Sequence, residues 1–165
     1  MEMNLEALQN SFPRWGKVEY LSIRKVRVAP VEHVAQVLAL KDRGLDGDHY
    51  NNPGGGRQVT LIQAEHLSAI AKLLAVEHVS PSLTRRNIVV SGINLLALKG
   101  KQFRIGDAVL QWSGECHPCS RMEKSLGAGG YNSMRGHGGI TARVIQSGKI
   151  KIGDDVCVLM EHTKH

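Results

Sequence analysis

Short runs of β-forming residues, each closed off by glycine, proline, asparagine or aspartate, set the tightest limit on what this chain can fold into. Residues 17–28 carry Val18, Tyr20, Ile23, Val26 and Val28 among polar neighbours, which predicts one or two strands ending before Pro30. Residues 58–62, 87–90, 102–105, 108–112 and 140–145 read the same way, and 34–40 suits a strand or a short helical turn. One segment, 64–76, repeats apolar residues at helical spacing, through Leu67, Ile70, Ala71 and Leu74. Residues 41–49, 51–56 and 129–139 read as loops. A faint internal echo, with Gly106-Asp107 and Gly153-Asp154 each flanked by β-type residues, predicts two strand, turn, strand units. So many short strands favour a mainly β fold, a closed or nearly closed β-barrel whose loops gather at the rims.

The 165 residues fit a single domain, 1–165, with no linker, and a domain of that size buries roughly 70% of its unfolded surface. Three cysteines are too few and too unevenly placed for a disulfide framework, so free thiols and a cytoplasmic location are expected. Residues 1–6 lack the order of a signal peptide, and no apolar run approaches the roughly 18 residues of a membrane span. The net charge of +6 is spread along the chain, and two phenylalanines, three tyrosines and two tryptophans make a poor stacking platform. These features argue against nucleic acid and for a small anionic ligand in an arginine-lined pocket.

Chemistry concentrates in residues 114–122, where Glu115, Cys116, His117, Cys119 and Arg121 stand together. Two thiols at that spacing can close a disulfide, bind a soft metal, or supply one reactive thiolate. A thioredoxin-type pair needs a βαβ setting, whereas strands precede this motif and a glycine-rich loop follows it. A zinc site from Cys116, His117 and Cys119 lacks its second ligand pair. Buried free cysteine is the commonest outcome, yet Glu115, His117 and Arg121 would be costly to bury beside it, so at least one sulfur should face solvent or a ligand. Cys157, between Val156 and Val158, reads as core. Arg135 and His137 lie among glycines that let backbone approach an anion. Arg85, Arg86 and Asn87 at the entrance to a strand would suit an anionic group, although paired arginines on a solvated face are commoner. Asp46 and Asp48 read better as a solvated turn than as a cation site, and His49 as a site or surface residue.

Taken in order, residues 44–49, Arg57 with 58–61, 87–95, 103–107, Pro118-Cys119, 138–140, Arg143-Val144 and 152–154 resemble the MOSC domain, named for the C-terminal domain of molybdenum cofactor sulfurase, over about 44–157. The resemblance implies a β-barrel with peripheral helices, and a sulfur carrier or the molybdenum-binding part of a reductase acting on N-hydroxylated compounds. By position, Cys119 would ligate molybdenum or carry a persulfide, with Cys116 and His117 as further catalytic candidates. Arg57, Arg86 and Arg135 would hold the molybdopterin phosphate, with Asn87, His137, Arg121, Asp48 and His49 as further cofactor contacts. No pyridoxal phosphate is expected, since nothing here has the length of the sulfurase's pyridoxal domain. A reductase of this kind would need a separate flavin or iron-sulfur protein as electron donor. The alternative is a persulfide carrier for metal-sulfur cofactor assembly, exchanging sulfur with a donor or acceptor protein. An anion-binding module with incidental cysteines is the third reading.

Overall fold

The computed structural model describes residues 3–160. Seven strands close a barrel: β1 (Gly16–Ile23), β6 (Ile88–Ser91), β5 (Val59–Gln63), β9 (Ile140–Gln146), β8 (Ala108–Glu115), β7 (Gln102–Ile105) and β11 (Asp155–Leu159). β11 pairs back onto β1 through Gly16 with Val156 and Lys17 with Asp155, which removes the open edges. β2 (Glu32–His33) extends β1, and β10 (Gly148–Lys151), β3 (Gln36–Leu40) and β4 (Gly44–Leu45) form a small second sheet.

All neighbours in the barrel are antiparallel except β5 and β6, which run parallel and are joined through α2 (Ala64–Leu73) and α3 (Pro81–Thr84). A parallel pair needs such a crossover, and the helix covers its outer face. Leu61, Ile88 and Val90 therefore point into the barrel core with Phe103, Ile105 and Leu110, while Ile62 and Val89 pack outward against Leu67, Ile70, Met122 and Met134. That two-sided burial explains why these two strands read as nearly unbroken apolar runs.

The sequence expectations depart from the fold in three places. Residues 24–28 turn instead of continuing the strand, and Val26 and Val28 stand in solvent, so β-propensity loses where no partner strand is available. The Gly153-Asp154 turn follows β10, but β10 pairs with β3 and not β11, so only the Gly106-Asp107 turn closes a hairpin. The segment 129–139 is not all loop: α5 (Gly130–Met134) lies within it, after α4 (Ser120–Leu126). Both helices are too short for a legible period, and α5 is fixed instead by Glu123, whose two carboxylate oxygens accept the Gly129 and Tyr131 amides at 2.7 and 2.8 Å. The remaining helical pieces are α1 (Leu5–Gln9) and a 3-10 turn at Leu95–Leu98, and among the described residues no helix is long and apolar enough to cross a membrane.

One charge lies deep in this frame. Arg86 is 6% exposed, and its guanidinium donates from Nε to the carbonyl of Gly138 at 2.9 Å, from Nη1 to Thr84 at 3.0 Å and from Nη2 to Cys116 at 3.2 Å. Three segments distant in sequence meet on one cation. Beside it a Cβ at Gly138 would strike the Cys116 carbonyl, and Gly139, at φ +89°, presses on the Leu61 carbonyl. Two outcomes follow. Arg86→Met, which strands three carbonyls, should lower the unfolding free energy in urea by about 3 kcal/mol. Gly139→Ala should cost well over ~1 kcal/mol in the same measurement, and more than Gly127→Ala, which has a comparable φ of +90° but open space around it.

Candidate functional site

Beyond β8 the chain stays extended with no turn until α4 begins at Ser120, so side chains alternate across residues 115–119. Cys116 and Pro118 face inward, whereas Glu115, His117 and Cys119 face out. Cys116 is 2% exposed and Cys119 is exposed, both as free thiols. No turn draws the two sulfurs together, which separates this motif from a turn-closed dithiol.

Each sulfur has its own surroundings. Arg57 Nη2 approaches the Cys116 sulfur at 3.9 Å, and Cys116 lines a hollow of about 580 Å³. Glu115, His117, Pro118, Tyr131, Arg135 and the glycines at 136, 138 and 139 line it as well. His117 Nε2 lies 4.0 Å from Glu115 Oε2, both well exposed. A smaller adjoining hollow of about 190 Å³ shares Leu96, Glu115 and His117 and adds Lys99 and Trp112, whose indole N–H is buried without a partner.

Cys119 instead looks toward arginines. Burial first, and then the charge of Arg121, hold Arg85 below its ordinary pKa, while Cys119 acts in the opposite sense. Arg24, lowered chiefly by its own burial and next by Arg85, also feels Arg121 and Arg86. These cations converge because Arg85 adopts a left-handed backbone at the end of α3 and sends Nη2 to the carbonyls of Arg27 and Ala29 at 3.2 and 2.9 Å. Asp48 braces the same corner by accepting the amides of Arg24 at 2.8 Å and Tyr50 at 3.4 Å. The Nε atoms of Arg24 and Arg85 stay buried without a hydrogen-bond partner. An acceptor-rich anion is the group that would satisfy them.

The candidates from sequence thus divide. Cys116, His117 and Arg135 line the large hollow, with Arg57 at its Cys116 side, and Cys119 and Arg121 belong to the arginine corner. Arg86 stands between the two thiols but spends its donors on carbonyls. Asn87 is likewise engaged: its Oδ1 accepts from the Thr60 amide and hydroxyl at 3.0 and 3.1 Å, and its Nδ2 donates to the Ser22 carbonyl at 3.2 Å. His137 turns to His66 and not to the hollow. His49 sits at the arginine corner, its pKa lowered by burial and then by Arg24. Its Nδ1 is 3.7 Å from Asp48. Arg24 escaped the sequence reading altogether, because its segment reads as strand and only the turn at 24–29 brings it near residues 85 and 121. Tyr131 and Glu115 gave no signal of pocket lining beyond their positions beside glycines and Cys116.

Solved structures with the same fold include YuaD from Bacillus subtilis, at 22% identity and a TM-score of 0.76 over 90% of this chain and 100% of that one. YiiM from Escherichia coli matches at 21% and 0.70, covering 92% and 73%, and YiiM from Geobacillus stearothermophilus at 16% and 0.69, covering 90% and 77%. No curated protein sequence matches the chain. The MOSC domain model matches residues 46–157, about two thirds of the length, and the seven-stranded barrel agrees with it: the chain belongs to the MOSC domain family.

Proposed function

We propose that the chain binds a molybdenum cofactor through Cys119 and serves as the cofactor-bearing component of a reductase for N-hydroxylated compounds. The observation that carries this reading is the exposed thiol of Cys119 beside buried arginine nitrogens that no protein group satisfies. A thiolate is a soft donor suited to molybdenum, and guanidinium groups with an unpartnered Nε suit a phosphate. The donor set therefore fits the group the resemblance implies.

When bound, the cofactor supplies the metal that takes up and releases electrons. The chain's residues do the rest. Cys119 anchors the metal, Arg85, Arg121 and Arg24 hold the phosphate end, and Arg86 fixes the backbone at Cys116. Glu115 and His117, exposed on the same side of the extended segment as Cys119, would hand a proton from Nε2 to a substrate in the large hollow. Arg135 lines the same hollow and offers a cation to an anionic substrate group. Electrons arrive from a separate flavin or iron-sulfur protein in this scheme.

Metal analysis of protein made in a cofactor-competent host tests the proposal. Near-equimolar molybdenum is expected in the wild type and none in Cys119→Ser; molybdenum retained by that variant would overturn the assignment. Arg85→Ala should weaken retention about ten-fold or more, the worth of a charge-assisted hydrogen bond. A wild type without molybdenum that gains the mass of one sulfur on Cys119 would support the persulfide carrier instead.

A further inference from the structure

His137 sits between two residues that line the large hollow, Gly136 and Gly138, yet its ring points the other way. It meets His66 of α2 edge to face, with ring centroids 5.0 Å apart and planes at 70°. Its Nδ1 lies 3.1 Å from the Ser133 carbonyl, which can only accept, so Nδ1 carries the hydrogen and the neutral ring keeps its lone pair at Nε2. The contact ties the wall of the hollow to the helix layer. Met134, fully buried in that layer, and the amide of His137, which donates to the Met134 carbonyl at 2.8 Å, complete the tie.

We propose that the His66–His137 pair is an acid-sensitive latch that holds the 133–139 wall of the hollow shut against α2 at neutral pH and releases it when His66 becomes charged. The surroundings offer a proton little compensation. Glu65, beside His66 on α2, gives one oxygen to the Gly92 amide at 2.7 Å, and Glu123 of α4 gives both of its oxygens to the Gly129 and Tyr131 amides. Strands β5 and β6, on which α2 packs, carry no ionisable side chain. On the α5 side stand Tyr131 and the cation Arg135, and the Arg86 guanidinium is fixed to the carbonyl of Gly138, next to His137. A charged His66 therefore faces a second imidazole, with Glu65 as its one opposing charge. Consistent with this, His66 is held below the ordinary histidine pKa, first by burial and then by His137, with Glu65 opposing.

The sign follows from proton counting. The folded state binds fewer protons at His66 than the unfolded chain, so its contribution to stability is present above the unfolded value of 6.5 and is lost as pH falls below it. Release concerns the hollow itself and stands whether or not molybdenum binds nearby.

Backbone amide exchange of the cofactor-free protein, with a chelator present and rates corrected for intrinsic pH dependence, tests the latch at pH 7.5 and 5.5. The amides of Ser133, Arg135 and His137, bonded within the 129–137 segment, should lose protection several-fold at the lower pH, with ~10-fold the ceiling for one imidazole, while those of β5 and β6 keep theirs. His66→Phe keeps a ring and removes the proton site, so its protection should be the same at both values. His66→Gln supplies the same readout if the phenylalanine variant does not fold. Unchanged protection in the wild type, or an equal loss in a folded His66 variant, would overturn the proposal.

Discussion

The buried guanidinium of Arg86 is the contact on which the functional region depends. Thr84 is the last residue of α3, while Cys116 and Gly138 flank the end of the β8–β9 ladder, where the Cys116 amide still donates to the Gly139 carbonyl at 2.9 Å; Arg86 ties the end of α3 to that ladder end. A cation with donors in a rigid fork can satisfy three carbonyls at once where lysine could not. The cost of burying the charge is offset by those bonds, and the glycines at 138 and 139 let the carbonyls come close enough to make them. What results is a fixed platform: the backbone at Cys116, three residues before Cys119, cannot shift without breaking a bond to Arg86.

The platform also separates two environments. Because residues 115–119 remain extended, Cys116 drops beneath the surface at the side of the large hollow while Cys119 rises toward the arginines. The hollow carries both signs of charge, with Glu115 and Arg135 in its lining, whereas the corner at Cys119 is almost uniformly cationic, with Asp48 spent on backbone amides. Division of this kind suits a site in which a charged group is held on one side and a smaller reactant meets it from the other.

Much of the fold was legible in the residues themselves. Alternation and β-branched runs gave the barrel strands at 59–63, 88–91, 102–105, 108–115 and 140–146, because burial on one or both faces leaves that imprint. The short helices α4 and α5 were not legible. Five to seven residues carry too little period, and their stability comes from Glu123 and from packing of Met122 and Met134, which are tertiary facts. Of the site, Cys116, His117 and Cys119 stood out because soft and titratable groups cluster there. The arginines were harder to sort: a guanidinium looks the same in sequence whether it binds a carbonyl, as Arg86 does, or keeps a free donor, as Arg24 and Arg85 do.

By itself, then, the sequence determined the strand-rich barrel and the chemical character of the 114–122 segment, since both are written in local pattern and residue type. Only the tertiary structure decided which thiol is buried, which arginines keep unpaired nitrogens, and that His137 faces a helix and not the hollow. Those outcomes depend on where remote carbonyls and side chains arrive once the barrel closes, and a chain read one window at a time holds no record of that.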